Sequence, residues 1–348
     1  MIVSETVLRE AIQNLFSSNG LNEADAGIVT NCLMEAELAG ISTHGVSMVP
    51  AHIRKCHKGY NLTAELTVEK ETAAFTLCNA NNAIGMLSAW KCIQLAVERS
   101  ELAGMHMVLC HDANTFSAAY CYVKFAVDQG KIAFVSCNSP AQMAPFGGKE
   151  KLLGTNPIAI GIPAENESPF ILDMATSAVA KSKINQALHN GERHIPFGWA
   201  TDLNGLPTDD PQEAVKGLIL PLAGPKGYGM SMAIDILSGV LSQAEYLDGV
   251  GRFYSDDHIC MNVGHTFLVI DPTIVYGEDF YHEMDSYYKR IRESQSASGN
   301  SILIPGDLNI QSRREKIEHG IELPQHVYDE LNAMLDACNC KRLSVMKR

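Results

Sequence analysis

The sequence predicts an α/β fold, because apolar segments with strand character alternate along the chain with segments of helical periodicity. A strand–helix–strand unit is the clearest sign. Buried strands are expected at residues 107–110 and 132–137, with a helix at 117–128 between them. A pair of helices precedes this unit, and a long apolar helix follows it at 228–242. The length of 348 residues suits roughly two domains.

The N-terminal region predicts two helices with capping residues at their ends. Ser4 can cap the first helix and Gly20 can end it, while Asn22 can cap the second and Gly40 can close it. Each helix has an apolar face at helical spacing, formed by Leu8, Ile12, Leu15 and Phe16 in the first and by Ile28, Cys32, Leu33 and Ala36 in the second.

The remaining elements are predicted from apolar runs between segments of turn residues. A polar loop with two Asn-Gly turns is expected at 189–211. Short strands are expected inside the Gly- and Pro-rich stretch 140–163, at 171–172 before DMATS, and at 266–270. Further helices are expected at 82–103, 280–295 and 323–337.

The charge balance excludes two classes of partner. The chain has 27 Lys and Arg against 40 Asp and Glu, a net charge of −13. Nucleic acids and anionic membrane surfaces both select clustered cations, and this chain has no basic run. It also lacks a stretch of about 18 uncharged apolar residues, as a transmembrane helix requires. We therefore expect no nucleic-acid partner and no membrane partner.

The ten cysteines lie mostly inside apolar runs such as MVLC and IAFVSC. They form no CxxC pair and no Cys/His cluster at zinc spacing, which predicts no metal site and no disulfide framework. Buried free thiols are typical of a reducing compartment. The N-terminal segment has no apolar signal-peptide core, so we expect a cytoplasmic protein.

A glycine-rich loop, AGPKGYG, opens the long apolar helix and contains Lys226. The loop lacks the GxGxxG pattern of a Rossmann dinucleotide site and the Ser/Thr that follows Lys in a P-loop. A lysine beside glycines at a helix N-terminus still suits an anion such as pyrophosphate. An ordinary tight turn with a surface lysine explains the pattern equally well.

Two titratable residues lie in segments that make them candidates for ligand binding or proton transfer. Asp173, in LDMATS, follows a strand, and its carboxylate can hold a ribose hydroxyl, orient a histidine or cap the next helix. His44, in STHG, can exchange a proton near neutral pH or only hydrogen-bond its surroundings. From the residues alone, the structural roles are favoured: a helix cap for Asp173 and a local hydrogen bond for His44. Asn156 and Pro145 are typical turn formers.

Longer motifs follow one another in a fixed order: STHG, APFGGKEKLLGTNPIAIGIP, LDMATSAVA, IPFGWATDLNGLPTDDP, PLAGPKGYGMSMAIDILSGVL and IPGD. In this order they resemble the malate/L-lactate dehydrogenase family of the second type, over nearly the whole chain. The resemblance implies a non-Rossmann fold in which NAD or NADP lies extended across a mixed sheet. It also implies a homodimer in which two subunits build each site.

The same resemblance divides the chain into three parts. These are an N-terminal helical part (1–75), a NAD(P)-binding mixed-sheet domain (76–255) and a C-terminal part that returns to the main domain (256–348). It also implies cofactor contacts at Ser139 before APFGG, at Asp173, Met174 and Ala175 of the DMA segment, at Lys226 and Gly227 on the phosphates, and at Pro305, Gly306 and Asp307.

Among the residues expected to take part in the reaction, His44 matches the family's first active-site histidine. Asp173 is expected to orient a catalytic or cofactor group. The chain departs from the family at two positions. Thr115 stands where a second histidine is expected, and a threonine hydroxyl does not titrate near pH 7. Met48 stands where an arginine suited to a substrate carboxylate is expected, and the next cation along the chain is Arg54.

Two further histidines complete the expected site. His258, in SDDHICMNVGH, matches a polar residue near the substrate, and His111 is a candidate substitute for the missing histidine. The resemblance implies an NAD(P)-dependent oxidoreductase that transfers hydride between nicotinamide and a small 2-oxo or 2-hydroxy acid. Two alternatives stay open: a cyclic-imine reductase, and a nucleotide-binding dimer with reduced or lost catalysis.

Overall fold

The computed structural model of the protein describes residues 1–254, 260–297 and 299–346. It confirms the α/β class. The strands are β1 (Ile2–Val3), β2 (Thr67–Glu71), β3 (Phe75–Asn79), β4 (Met105–Ala113), β5 (Ile132–Cys137), β6 (Ile158–Ile162), β7 (Phe170–Met174), β8 (Ala200–Thr201), β9 (Pro207–Thr208), β10 (Val263–Ile270) and β11 (Ile321–Glu322).

Helices surround these strands, and all seven predicted helices are present with slightly different ends. They are α1 (Glu5–Ser18), α2 (Glu23–Leu38), α3 (Val49–Lys58), α4 (Gly85–Ala103), α5 (Tyr120–Asp128), α6 (Lys181–His189), α7 (Pro211–Lys216), α8 (Pro225–Asp235), α9 (Thr273–Tyr276), α10 (Asp279–Arg292), α11 (Asp307–His319) and α12 (Gln325–Ala337).

A seven-stranded mixed sheet in the order β2-β3-β4-β10-β5-β6-β7 forms the centre of the fold. Only β3 and β4 pair in parallel, while the other neighbours in this sheet run antiparallel. The predicted strand–helix–strand unit is present as β4, α5 and β5. However, β10 lies between its two strands, and Phe267 of β10 faces Val108 on one side and Val135 on the other.

The N-terminal helices follow the predicted capping pattern. The Ser4 hydroxyl accepts a hydrogen bond from the Val7 N–H at 3.4 Å, and the Asn22 side chain accepts one from the Asp25 N–H at 2.9 Å. The apolar faces of α1 and α2 enter the main core, which continues beneath the sheet through α4 and α5. Burial of these faces supplies the main force that holds the helical region on the sheet.

A second, smaller hydrophobic core lies outside the main one. Part of it comes from the stretch 189–211, where the polar composition predicted a loop. The structure instead has the β8–β9 hairpin and the start of α7 there, because isolated apolar residues between the polar ones are buried. The members of the second core are Met143, Leu153, Val179, Ile184, Ala187, Ile195, Ala200, Ala214 and Ile219.

The predicted apolar helix at 228–242 begins earlier, at Pro225, and continues beyond α8 as a π-turn over Ile236–Val240. In an ordinary surface helix the apolar face is buried and the polar face is exposed, and here the two are reversed. The side packed on the protein is largely polar, with Ser231, Asp235, Ser238 and Ser242 buried. The solvent side is apolar: Met230, Met232, Ile236, Leu237, Val240 and Leu241.

Three further observations bear on the sequence-based expectations. No helix in the described part of the chain is both long and apolar enough to cross a membrane. All ten cysteines lie within the described residues and are free thiols, seven of them buried. The division of the chain at residues 75 and 255 stays a prediction.

Candidate functional site

Asp173 lies near the end of β7 and connects this strand to α5. One carboxylate oxygen accepts a hydrogen bond from the backbone N–H of Tyr120, the first residue of α5, at 2.8 Å. Burial raises the pKa of Asp173 to about 6, against the opposing effect of this hydrogen bond. The carboxylate therefore caps a helix, but α5 rather than the helix that follows it in sequence.

A cavity of about 310 Å³ lies between β7 and the start of α11. Asp173, Pro305 and Gly306 all line it, so three residues predicted to meet the cofactor converge there. The Ile171 N–H donates to the Pro305 carbonyl at 2.8 Å. Gly306 has a φ of +108°, and a Cβ at this residue would lie 3.1 Å from the Ile171 nitrogen. This edge of the cavity therefore requires glycine.

Asp307, also predicted to contact the nucleotide, anchors the start of α11. Its carboxylate pairs with both terminal nitrogens of Arg292 at 2.6 and 2.8 Å and accepts from the Ile304 N–H at 2.8 Å. The Arg292 guanidinium holds the pKa of Asp307 below its usual value. These interactions fix the backbone that forms the rim of the cavity.

A buried polar cluster joins three of the predicted cofactor segments. Asn156 is fully buried, and its side-chain oxygen accepts from the Ser139 N–H at 2.9 Å. Its amide nitrogen donates to the Ser231 carbonyl of α8 at 2.9 Å. The Thr176 hydroxyl, just after the DMA segment, donates to the Asn156 carbonyl at 3.2 Å. Sequence reasoning treated Asn156 as a turn former and missed this role.

The glycine-rich loop lies beside the DMA segment. The Leu222 N–H donates to the Thr176 carbonyl at 2.9 Å, which brings the loop against residues 173–176. A Cβ on Gly227 would lie 2.4 Å from the Leu222 carbonyl oxygen and 2.7 Å from that of Thr176. Lys226 is exposed beside it in the first turn of α8. Met174, the last residue of β7, and Ala175 after it are half-buried.

His44 ends a short 3₁₀ turn, Ser42–His44, in the segment after α2. The residue as a whole is exposed, and its ring Nδ1 lies 3.0 Å from the Thr43 hydroxyl. The surrounding protein atoms lower the pKa of His44 below the usual histidine value. The Ser117 hydroxyl donates to the His44 carbonyl, which places the histidine against the turn that contains half-buried Thr115.

A buried histidine supports this turn from below. His265 of β10 lies 3.0 Å from the Asn114 carbonyl through Nε2 and stacks on Phe116 with a centroid distance of 4.7 Å. Burial lowers the pKa of His265 to about 4, so the ring is neutral at pH 7. His265 therefore has a structural role, which the sequence did not suggest.

The structure places the other predicted residues in different surroundings. Met48 is 5% exposed and packs in the main core. Arg54 is exposed and pairs with Glu330 of α12 at 2.9 Å. The Nε2 atom of His111 lies 2.9 Å from the Glu69 carboxylate, and its Nδ1 lies 3.1 Å from that of Asp112. Both ring nitrogens are therefore paired with carboxylates near β2.

His258 lies outside the described residues, and its predicted substrate contact stays a prediction.

Comparison with known proteins gives one consistent result. A family model described as malate/L-lactate dehydrogenase matches residues 3–332. The chain is 35% identical over 341 residues to a malate/(S)-sulfolactate dehydrogenase of Methanothermus fervidus, covering 97% of this chain and 98% of the relative. It is 32% identical over 335 residues to a ureidoglycolate dehydrogenase (NAD(+)) of Escherichia coli, covering 95% of each.

Among solved structures, the fold superposes on a sulfolactate dehydrogenase of Methanocaldococcus jannaschii with a TM-score of 0.92. The two sequences are 33% identical, and the superposition covers 98% of each chain.

Proposed function

Because the chain belongs to the malate/L-lactate dehydrogenase family, we propose that it transfers hydride between NAD(P) and C2 of a small 2-oxo or 2-hydroxy acid. One observation supports this most strongly. Asp173, Pro305 and Gly306, distant in sequence, line one cavity at the edge of a mixed sheet that has no Rossmann loop. Thr176, just after the DMA segment at this cavity, accepts a hydrogen bond from Leu222 immediately before the glycine-rich loop.

The cofactor supplies the hydride chemistry when bound, and the protein binds and orients it. Gly227 keeps the glycine-rich loop close to Thr176, and the exposed Lys226 ammonium suits a phosphate at the N-terminus of α8. Ser139 is fixed by Asn156, so its backbone is held in place before a ligand arrives. One carboxylate oxygen of Asp173 accepts a hydrogen bond from the first residue of α5. In this proposal, the other oxygen orients the reacting group.

His44 moves the proton in this proposal. A lowered pKa keeps the imidazole neutral at pH 7, the form that accepts the hydroxyl proton when a 2-hydroxy acid is oxidised. In the reverse direction the protonated form of the same ring donates its extra proton to the carbonyl oxygen and becomes neutral. Thr115, held near His44 through Ser117, can contribute a hydrogen bond but no second ionisation.

The experiment is an NAD(P)H oxidation assay with a substrate panel. The panel contains 2-oxo acids with carboxylate, sulfonate and neutral substituents, together with a cyclic imine carboxylate. We expect turnover with at least one 2-oxo acid. Turnover on the imine alone would establish the reductase alternative. Tight NAD(P)H binding without any turnover would establish a non-catalytic nucleotide-binding protein.

We also propose a homodimer, with the solvent side of α8 and its π-turn as the interface. The face of this helix that meets water is apolar, for example at Ile236 and Val240, while its polar face is buried. Exposed apolar patches of this kind are typical of interaction sites. The free thiols fit the predicted cytoplasmic location.

Sedimentation at micromolar concentration tests the dimer. The wild type should show a sedimentation mass about twice the 37.9 kDa of one chain, and Val240→Lys should dissociate the dimer. Leu102→Lys is the matched control, because Leu102 is equally apolar and more exposed but lies on α4. A wild type that sediments as a single chain would contradict the proposal.

A further inference from the structure

A buried carboxylate lies directly beneath the segment that contains His44. This segment, residues 42–48, is the histidine loop. Glu37, in the last turn of α2, is 3% exposed. One of its carboxylate oxygens accepts from the Ser42 hydroxyl at 2.7 Å, and the other accepts from the Val46 N–H at 3.3 Å. The two bonds hold the loop on both sides of His44.

Lys316 of α11 supplies the positive charge that this carboxylate needs. Its ammonium lies 3.0 Å from the same Glu37 oxygen that Ser42 reaches, and 3.5 Å from the Ser42 hydroxyl. A buried carboxylate without a counter-charge is strongly unfavourable, so the pair is stable only as a unit. Gly45 shows how closely the loop rests on it. A Cβ at residue 45 would lie 2.7 Å from a Glu37 oxygen and 3.0 Å from the Glu37 Cα.

Helix α11 connects this pair to the cavity. The residue before its first turn is Gly306, which lines the cavity beside Asp173. Further along the helix, the Asn309 amide donates to the Ala39 carbonyl at 2.8 Å, and the Ser312 hydroxyl donates to the Leu38 carbonyl at 2.9 Å. One helix therefore extends from the cavity to the end of α2 and the histidine loop.

We propose that Glu37 and Lys316 are positioning residues that hold the histidine loop in its reactive geometry and fix it relative to the cofactor cavity through α11. This inference rests on the proposed role of His44. Neither side chain needs to touch substrate or cofactor for this function. A positioning error of about 1 Å costs on the order of 10²-fold in rate, so the loss of these contacts should be visible in turnover.

The experiment compares Glu37→Ala with Glu35→Ala in the full chain. Glu35 is the matched control because it pairs with Arg313 at 2.5 Å between the same two helices, but its ion pair lies outside the histidine loop. Glu37→Ala should lower kcat by roughly 10- to 100-fold, while NAD(P)H affinity from fluorescence titration changes by less than about twofold. Glu35→Ala should keep kcat within about threefold of wild type, because its ion pair does not hold the histidine loop.

Two additional measurements separate positioning from a general loss of stability. Hydrogen–deuterium exchange should become faster in the peptide covering residues 42–48 of Glu37→Ala, and remain unchanged there in Glu35→Ala. Glu37→Gln should recover part of kcat, because an amide oxygen can still accept from Ser42. If Glu37→Ala does not fold, Ser42→Ala removes a single bond and should give a smaller loss with the same exchange pattern.

Equal losses of kcat in Glu37→Ala and Glu35→Ala, or unchanged exchange in the histidine loop, would overturn the inference. These outcomes are distinct from a failure of the proposed function. In that case the wild type turns over no substrate of the panel, and the exchange measurement still decides whether Glu37 holds the loop.

Discussion

The cofactor side of the site and the histidine loop differ in how completely the protein fixes their functional groups. On the cofactor side, Asn156 is fully buried with both ends of its amide bonded, and Gly227 leaves no room for a side chain. On the other side, His44 is an exposed residue of the loop, and its ring is hydrogen-bonded to its neighbour Thr43. The protein fixes the backbone of the histidine loop from below, whereas the imidazole is bonded to a neighbour in the same loop.

The two expected departures from the family pattern both lie at the histidine loop, although Met48 itself is buried. Thr115 lies on the turn that contacts the histidine loop, and Met48 ends that loop. By the same resemblance, the residues expected to meet the cofactor match the family pattern. We therefore expect nucleotide binding to depend on the buried network, and substrate chemistry to depend on a few residues of the histidine loop and the adjacent turn.

The largest effect is expected from His44→Ala. Loss of a positioned acid/base group costs roughly 10²–10⁴-fold in rate, so kcat should fall by that amount. NAD(P)H affinity should stay near wild type, because the buried network lies elsewhere. Steady-state kinetics and a fluorescence titration on the same preparation test both statements. Full turnover by this variant would limit His44 to a structural role.

Asn156→Ala tests the rigidity of the cofactor side. The substitution leaves the Ser139 N–H and the Ser231 carbonyl without their partner, at a cost of about 1–3 kcal/mol for each buried group. We expect a lower free energy of unfolding in urea and weaker NAD(P)H binding. Asn190→Ala serves as control, because Asn190 is exposed on the surface after α6. Equal stability of the two variants would argue against a preformed network.

Lys226→Ala should weaken NAD(P)H binding by roughly 1–3 kcal/mol, the range for a hydrogen bond to a charged group, without unfolding the protein. Its side chain is exposed, so folding does not depend on it. The exposed Lys183 of α6 provides the control substitution, Lys183→Ala, which should leave affinity unchanged. Unchanged affinity in Lys226→Ala would remove this lysine from the phosphate site.

Asp173→Asn should change the pH dependence of stability. The pKa of Asp173 is raised to about 6 in the folded state, above the value of about 3.9 in an unfolded chain. Between these values the folded state binds more protons, so the contribution of Asp173 to unfolding free energy falls as pH rises from about 4 to about 6. In thermal melts over this window, the wild type should lose stability relative to Asp173→Asn. Parallel curves would contradict the raised pKa.

Local signals in the sequence predicted much of the fold. The caps at Ser4 and Asn22 and the bounds of β5 follow from patterns within a few residues. The insertion of β10 between β4 and β5 could not be predicted that way, because strand pairing depends on distant residues. Helix α11 was missed because it buries no residue and so has no apolar periodicity.

The same limit applies to the site. Motifs such as the DMA segment identified Asp173, Pro305 and Gly306, which the structure brings to one cavity. Glu37 and Lys316 carry no motif, and a single buried ion pair between helices distant in sequence gives no local signal. Such supporting contacts become visible only when the packing of α2 and α11 is known.

The most direct test of hydride transfer uses NAD(P)H deuterated at both C4 positions. The wild-type enzyme is supplied with the best 2-oxo acid of the panel in ordinary water, and the product is analysed by mass spectrometry and NMR. The predicted product is a 2-hydroxy acid with one deuterium at C2 and an ordinary proton on its oxygen. A product with protium at C2, formed while the deuterated cofactor is consumed, would contradict direct transfer from the cofactor to the substrate.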